Sequence, residues 1–230
     1  MTDTAPRELP LQELDEVIIR FAGDSGDGMQ LTGDQFTSIS AALGNDLATL
    51  PEFPAEIRAP QGTLAGVSAF QVRISDFAIT TPGDAPTVLV AMNPAALQVH
   101  QKEVKPGGTI ICNANAFTPK NLKLAGYESN PLEDKTLDDY FTVYTIEMGK
   151  MVALACEGLD LSSKIVDRSK NLYALGLLFW IYDRPLQPTK DWLEVKFGKK
   201  PELVEANVSC LLYTSDAADE GLGVDLGGRR

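Results

Sequence analysis

Residues 18–33 read Ile-Ile-Arg-Phe-Ala-Gly-Asp-Ser-Gly-Asp-Gly-Met-Gln-Leu-Thr-Gly, and this stretch decides the fold. Residues 17–21 form a short apolar run with β-branched and aromatic side chains, which predicts a buried strand. From Met29 to Leu43 the apolar residues recur at helical spacing and predict a helix. A strand, a glycine turn and a helix in this order open the ligand crevice of an α/β sheet, where backbone N–H groups can approach a bound group.

The glycine turn departs from the spacing of a dinucleotide loop. Gly23, Gly26 and Gly28 follow the pattern G-x-x-G-x-G rather than G-x-G-x-x-G. Asp24 and Asp27 lie inside the turn, where they would repel a pyrophosphate unless neutralised. No Lys-Ser or Lys-Thr pair follows, which excludes a Walker loop. The turn alone leaves open a dinucleotide site and a tight structural turn, and it favours the structural turn.

Length, composition and charge exclude several classes of protein. The 230 residues suffice for one large α/β domain or two small ones, and 44% are apolar and 23% charged, as in ordinary globular proteins. The formal charge of −12, with no basic run to offset it, argues against nucleic acid as a partner. No apolar run approaches the roughly 18 residues of a membrane span. The polar start, with Pro6 and Pro10, predicts a flexible lead rather than a signal peptide.

Cysteine and histidine are too scarce for a metal centre. None of Cys112, Cys156 and Cys210 forms a C-x-x-C pair, so the sequence predicts no zinc, iron–sulfur or other metal site in this chain. Cys112 and Cys156 are predicted to be small buried hydrophobes. Scarce thiols without a signal peptide predict the cytoplasm. The only histidine, His100, is predicted at the surface.

Strand-like and helix-like segments alternate along the chain. Short apolar or alternating runs predict further strands at residues 46–50, 71–75, 87–91, 109–112 and 140–146. Helical spacing predicts helices after Pro94 and over residues 149–157, 171–182, 188–197 and 201–208, whereas residues 51–66 and 113–139 read as loops. The alternation predicts an α/β fold: a three-layer α/β/α Rossmann-like sandwich around a mostly parallel sheet.

Several polar residues stand where a helix begins. Asn93 follows a central strand, where crevice residues gather, but as the N-cap of the next helix it has a sufficient structural role, which we favour. Asn171 is a natural N-cap of an apolar helix in the same way. Asp24 and Asp27 either cap the first helix or face a ligand, and the sequence leaves both roles open.

The last 21 residues differ in character from the rest. Residues 210–220 read Cys-Leu-Leu-Tyr-Thr-Ser-Asp-Ala-Ala-Asp-Glu and continue no helical or strand pattern. They resemble a translated sequencing adapter, since they back-translate to a transposon-end adapter, and Val224–Arg230 back-translates in the same frame to a flow-cell primer. We therefore expect a flexible lead at 1–14, one domain at 15–209, and disordered, non-native read-through at 210–230. A longer open frame after Val208 on resequencing would confirm this; finding the tail in the genome would refute it.

A set of short strings carries a family resemblance when taken together with residues 20–33. The strings are Phe53-Pro-Ala-Glu-Ile-Arg-Ala-Pro60, Val90-Ala-Met-Asn-Pro-Ala-Ala96, Pro106-Gly-Gly108, Arg168-Ser-Lys-Asn171, Ala174-Leu-Gly176, Lys196-Phe197 and Lys200-Pro201. In combination and order they resemble the 2-oxoacid:ferredoxin oxidoreductases, and most closely the N-terminal γ domain of the α subunit of 2-oxoglutarate:ferredoxin oxidoreductase (2-oxoglutarate synthase).

The resemblance implies an enzymatic activity whose reactive groups lie outside this chain. Enzymes of the family convert a 2-oxo acid and coenzyme A (CoA) to acyl-CoA and carbon dioxide while reducing ferredoxin. Thiamine diphosphate, Mg and an iron–sulfur cluster are expected on the β subunit, so this chain should carry no cofactor and no catalytic residue and should be inactive alone. The expected partners are the β subunit, the rest of the α subunit and ferredoxin. The family's Tyr-Pro-Ile-Thr-Pro motif, which belongs to the following domain, is absent here.

The resemblance also implies which residues face CoA and the active site. These expected cofactor-binding residues are Gly23, Ser25, Gly26, Asp27, Gly28, Arg58 and Asn93. Arg58 either contacts an anion of CoA or forms an ion pair, with Glu56 or with a neighbouring domain, and we favour the ion pair. Other hypotheses stay open: a pyruvate or branched-chain 2-oxoacid enzyme, a free-standing nucleotide-binding module, and a docking domain that binds nothing.

Overall fold

The fold is built on one six-stranded sheet. The computed structural model describes residues 12–56 and 58–219. The strands are β1 (Glu16–Asp24), β2 (Asp46–Glu52), β3 (Val67–Ser75), β4 (Val88–Ala91), β5 (Thr109–Asn113) and β6 (Thr142–Ile146), in the order β2-β3-β1-β4-β5-β6. β1, β4, β5 and β6 pair in parallel, and β3 runs antiparallel to β1 and β2. The prediction of a mostly parallel sheet is confirmed.

Helices cover both faces of the sheet. They are α1 (Met29–Ala42), α2 (Pro94–His100), α3 (Pro119–Leu124), α4 (Met148–Ala155), α5 (Ser163–Arg168), α6 (Lys170–Ile181), α7 (Gln187–Phe197) and α8 (Pro201–Asp219). One apolar core joins the sheet to α1, α4, α6, α7 and α8, and a second joins the other face to α2 and α3. The three-layer sandwich is therefore confirmed. Within the described ranges, no helix is long and apolar enough to cross a membrane.

The larger core centres on Phe36 of α1, which is fully buried. Its ring lies 6.0 Å from that of Phe21 in β1, 5.8 Å from Phe179 and 6.0 Å from Tyr182. The helix reaches the sheet closely because residue 33 has no side chain: a Cβ on Gly33 would lie 2.1 Å from the ring of Phe70 in β3. This packing fixes the position of α1 and, with it, the glycine turn that precedes it.

Two short helices and the end of the chain differ from the sequence expectation. α3 and α5 have six residues each, too few for a helical period to stand out, and α3 lies in a predicted loop. α8 continues through Asp219, so the prediction that residues 210–219 lack helical structure is wrong. Cys210, Leu211 and Thr214 are buried and extend the face that begins with Ala206. Residues 1–11 and 220–230 lie outside the described residues, and the adapter origin of the tail stays a prediction.

The surface position predicted for His100 is also wrong, because the imidazole is 3% exposed. Its Nδ1 lies 2.9 Å from Nη1 of Arg20, a buried residue of β1. The guanidinium of Arg20 also donates to Gln71 Oε1 at 3.0 Å and forms ion pairs with Glu52 and Glu103. Since a guanidinium only donates, Nδ1 of His100 must be the acceptor and the ring neutral. Burial, followed by the charge of Arg20, lowers the pKa of His100 to about 4.

Candidate functional site

A polar cleft of about 360 Å³ opens where β1, β4 and β5 end. Helix α1 follows β1 on one face of the sheet, and α2 follows β4 on the opposite face. The chain therefore turns away in opposite directions between β1 and β4, which makes this edge the topological switch point of the sheet. Ligands of open α/β sheets bind in the crevice at such a point.

The glycine turn closes upon itself at one side of the cleft. Oδ2 of Asp27 accepts the backbone N–H of Asp24 at 2.8 Å, and the N–H of Asp27 donates to the carbonyl of Asp24 at 2.9 Å. Gly28 is the N-cap of α1 with φ 77°, a left-handed conformation that favours glycine. No side chain caps α1, so the hypothesis that Asp24 or Asp27 caps this helix is wrong.

Asp24 joins three segments of the cleft. Both of its carboxylate oxygens lie 3.0 Å from the backbone N–H of Gly62, and its side chain accepts a hydrogen bond from Asn93. Burial raises the pKa of Asp24, and these two hydrogen bonds act against that rise. The 53–66 loop is thereby held against the strand ends.

Asn93 has the structural role that the sequence favoured. Its Oδ1 accepts the N–H of Ala96 at 2.8 Å, which caps α2, and Pro94 occupies the first turn. The same residue lines the cleft, so a capping role and a place in the crevice occur together. The capping role predicted for Asn171 is wrong: Ser169 precedes α6, and Asn171 lies buried against Gly28.

Three cations from two neighbouring helices also line the cleft. They are Lys164 and Arg168 of α5 and Lys170 of α6. Lys170 also forms an ion pair with Asp167. We call these three cations the cationic wall. It offers positive charge to an anion that enters the cleft, which is also lined by the carboxylates of Asp24, Asp27 and Asp167.

The predicted site residues divide into two groups. Gly26, Asp27 and Asn93 line the cleft, whereas Gly23, Ser25 and Gly28 do not. Ser25 donates its N–H to the carbonyl of Gly66, and Gly28 lies against the side chain of Asn171. Arg58 is exposed, does not line the cleft and has φ 64°. Within the described residues no ion pair joins it to Glu56.

Sequence reasoning missed the cationic wall and three further cleft residues, Gln61, Asn113 and Asn121. Two signals were present. Asn113 ends a central strand as Asn93 follows one, and the string Arg168-Ser-Lys-Asn171 carries two of the three cations. Among the described residues, no group of three or more His, Cys, Asp or Glu side chains could hold a metal ion. The charged side chains that line the cleft are the three cations and the carboxylates of Asp24, Asp27 and Asp167.

Asp27 is the acid most affected by its surroundings. Burial raises its pKa to about 6; the N–H of Asp24 lowers it, the charge of Asp24 raises it, and the charge of Lys170 lowers it. Because the native pKa lies above the usual 3.8, the folded protein binds the proton more tightly than the unfolded chain. The stability contributed by the protonated form is therefore lost as the pH rises through about 6.

We expect Asp27→Asn to stabilise the protein at pH 7.5 by about 1–2 kcal/mol, since the amide oxygen can keep the bond from Asp24 without a buried charge. This range is reduced to allow for screening of the charge by water, because the carboxylate of Asp27 is partly exposed. Urea unfolding at several pH values measures the effect. At pH 4 the carboxyl of Asp27 is largely protonated in the folded protein, so the wild type and the variant should have nearly the same free energy of unfolding. An equal gain at pH 4 and 7.5 would show that the charge is not the cause.

Fold and cleft together define an α/β module with a charged crevice at its switch point. The chain belongs to the pyruvate ferredoxin/flavodoxin oxidoreductase family, whose model matches residues 18–217.

Two curated relatives share sequence with this chain. The chain is 54% identical over 200 residues to the 2-oxoglutarate oxidoreductase subunit KorA of Mycobacterium tuberculosis, which covers 87% of this chain and 30% of that protein. It is 27% identical over 161 residues to the ketoisovalerate oxidoreductase subunit VorA of Methanothermobacter thermautotrophicus, covering 69% and 32% respectively. The chain thus spans about a third of the length of these curated relatives.

Solved structures share the fold. The 2-oxoglutarate:ferredoxin oxidoreductase of Magnetococcus marinus, with 2-oxoglutarate, coenzyme A and succinyl-CoA bound, matches with a TM-score of 0.67 at 27% identity, over 92% of this chain and 32% of that one. The γ subunit of a keto/oxoacid ferredoxin oxidoreductase from Geobacter sulfurreducens matches with a TM-score of 0.55 at 16% identity, over 88% of this chain and 98% of that one. The second match shows the fold alone.

Proposed function

We propose that this chain is the γ-type domain of the α subunit of a 2-oxoglutarate:ferredoxin oxidoreductase. The complete enzyme would convert 2-oxoglutarate and CoA to succinyl-CoA and carbon dioxide, and the two electrons released would reduce ferredoxin. The observation that carries this proposal is the 54% identity to the KorA subunit, set against 27% for the ketoisovalerate relative. Pyruvate or branched-chain 2-oxo acids are the alternative substrates.

Within that enzyme we assign to this chain part of the CoA site. CoA is a polyanion with a diphosphate and a 3′-phosphate at one end, and Lys164, Arg168 and Lys170 provide matching cations at the switch-point cleft. Lysine and arginine bind phosphate through charge-assisted hydrogen bonds. The three cations would hold and orient the phosphate end of CoA, and the glycine turn would line the same cleft. The predicted roles of Gly26, Asp27 and Asn93 at this site form part of the proposal.

The redox groups of the reaction would lie elsewhere in the complex. Thiamine diphosphate would supply the carbanion chemistry, with Mg, and an iron–sulfur cluster would carry the electrons. The described residues of this chain do not fit those groups, because they contain no cluster of metal ligands, and Cys112 is fully buried with a pKa raised to about 12. We place these groups on a β subunit that acts with the rest of the α subunit and with ferredoxin, in the cytoplasm.

A chimeric enzyme tests this assignment. Residues 17–208 of this chain would replace the corresponding segment of the Mycobacterium tuberculosis KorA subunit, which is then assembled with its natural partners. We expect CoA-dependent reduction of ferredoxin with 2-oxoglutarate. Activity only with pyruvate or 2-oxoisovalerate, or a correctly assembled chimera without activity, would contradict the proposal. Micromolar binding of NAD, FAD or ATP to the isolated chain would favour the nucleotide-binding module instead.

A further inference from the structure

Asn113 is a buried residue of the cleft whose side-chain oxygen has no hydrogen-bond partner. It is the last residue of β5 and is 3% exposed. Its Nδ2 donates to the backbone carbonyl of Met92 at 3.2 Å, and its Oδ1 has no partner. Among the buried side-chain polar atoms that lack a partner in the described ranges, this oxygen is the one that belongs to a cleft residue.

The orientation of the Asn113 amide follows from its surroundings. The carbonyl of Met92 can only accept a hydrogen bond, so the NH₂ group must face it. The oxygen is therefore the unpaired atom, and a flipped amide would set two acceptors against each other. An unpaired buried acceptor is unfavourable, and a bound water, an ion or a ligand is among the partners that can complete it. A hydrogen-bonding partner of this oxygen must be an N–H or O–H donor.

The charges of the cleft indicate what kind of group brings that donor. The cations that line the cleft belong to the cationic wall on α5 and α6, where Asp167 pairs with Lys170 and leaves Lys164 and Arg168 as the excess positive charge. The glycine turn at the end of β1, by contrast, carries Asp24 and Asp27. A phosphate is attracted to the wall and repelled by the two carboxylates at the strand ends. The group that reaches Asn113, at the end of β5, should therefore be uncharged.

We propose that Oδ1 of Asn113 accepts a hydrogen bond from the uncharged pantetheine arm of CoA. This inference rests on the proposed function and adds a specificity-determining contact to it. The arm carries two amide N–H groups and a hydroxyl, and it extends away from the phosphate end that the cationic wall would hold. Asn113 then distinguishes CoA from nucleotides that have the same phosphates but no arm.

Binding of two ligands to this 230-residue chain tests the inference. The ligands are CoA and adenosine 3′,5′-bisphosphate, which has the nucleotide end without the arm, and isothermal titration calorimetry gives both affinities. We expect Asn113→Ala to weaken CoA binding about three- to tenfold, the value of one hydrogen bond, and to leave the bisphosphate within about twofold. Asn115→Ala, a matched change two residues further on and outside the cleft lining, should alter neither affinity.

A second measurement uses the unaltered protein, in case Asn113→Ala does not fold. The side-chain NH₂ resonances of Asn113 should shift when CoA is added and should not shift with adenosine 3′,5′-bisphosphate. Equal loss of affinity for both ligands, unchanged affinity for CoA, or equal NMR shifts with both ligands would overturn the contact with the arm. If neither ligand binds the wild-type chain, the proposed CoA site itself fails and the contact fails with it.

Discussion

Lys170→Glu should weaken CoA binding by this chain by at least about tenfold at 0.1 M salt. Reversing this charge removes one phosphate-binding cation and adds a carboxylate beside Asp24 and Asp27, each change acting against a polyanion. Lys170 is the cation of choice because its charge acts on the pKa of Asp27. Isothermal titration calorimetry at two salt concentrations measures the loss, which should shrink as salt screens the charges.

A matched charge reversal separates a local effect from the net charge. Lys199 is exposed and does not line the cleft, and Lys199→Glu changes the net charge of −12 by the same two units as Lys170→Glu. We expect the Lys199 variant to bind CoA within about twofold of the wild type, since its charge is screened at that distance. Equal losses for both variants would mean that overall charge, rather than the cationic wall, governs binding.

Arg20→Met should destabilise the protein by about 2–4 kcal/mol at pH 7, mainly because the buried side chains of Gln71 and His100 lose their hydrogen-bond partner. The guanidinium is 4% exposed and contacts Gln71 and His100, with ion pairs to Glu52 and Glu103 that join β1 to β2 and to the segment after α2. Methionine fills a similar volume but leaves these polar groups without their donor. Urea unfolding gives the change in the free energy of unfolding.

Arg73→Met on the neighbouring strand is the control. Arg73 forms an ion pair with Glu16, but the two side chains are 20% and 32% exposed, so we expect a loss below about 1 kcal/mol. Similar losses for the two arginine variants would contradict the view that burial makes the Arg20 network important.

The pH dependence of stability gives a second reading on Arg20. The pKa of His100 is lowered from 6.5 to about 4, so the unfolded chain binds more protons in that interval, and stability is lost as the pH falls through it. Removing the charge of Arg20 lets the pKa rise towards its ordinary value. The free energy of unfolding of Arg20→Met should therefore vary less between pH 4 and 6.5 than that of the wild type. Both proteins contain Asp27, so its titration contributes to both and does not cause the difference.

Local signals in the sequence predicted the elements that position the cleft. The glycine turn, the capping by Asn93 and the buried strands all depend on residues close to one another in the chain. The antiparallel direction of β3 could not be predicted in this way, because an apolar alternation is the same in either direction.

Contacts between distant segments were beyond the reach of the sequence pattern. Lys164 and Arg168 lie about 140 residues after the glycine turn, on a helix too short to show a period. His100 was placed at the surface because nothing near it in the chain shows that Arg20, 80 residues earlier, lies against its ring. The resemblance indicated the Arg168–Asn171 string without showing that it packs against the glycine turn and lines the cleft.

The most direct test of the account is an NMR titration of the isotopically labelled 230-residue chain with CoA. If the switch-point cleft is the CoA site, saturable shifts should concentrate at Gly26, Asp27, Asn93 and Lys170, and Lys170→Glu should diminish them. Absence of saturable shifts, or shifts concentrated at Val152 and Leu161 in the neighbouring groove, which shares Lys170 with the cleft, would contradict the assignment of CoA to this cleft.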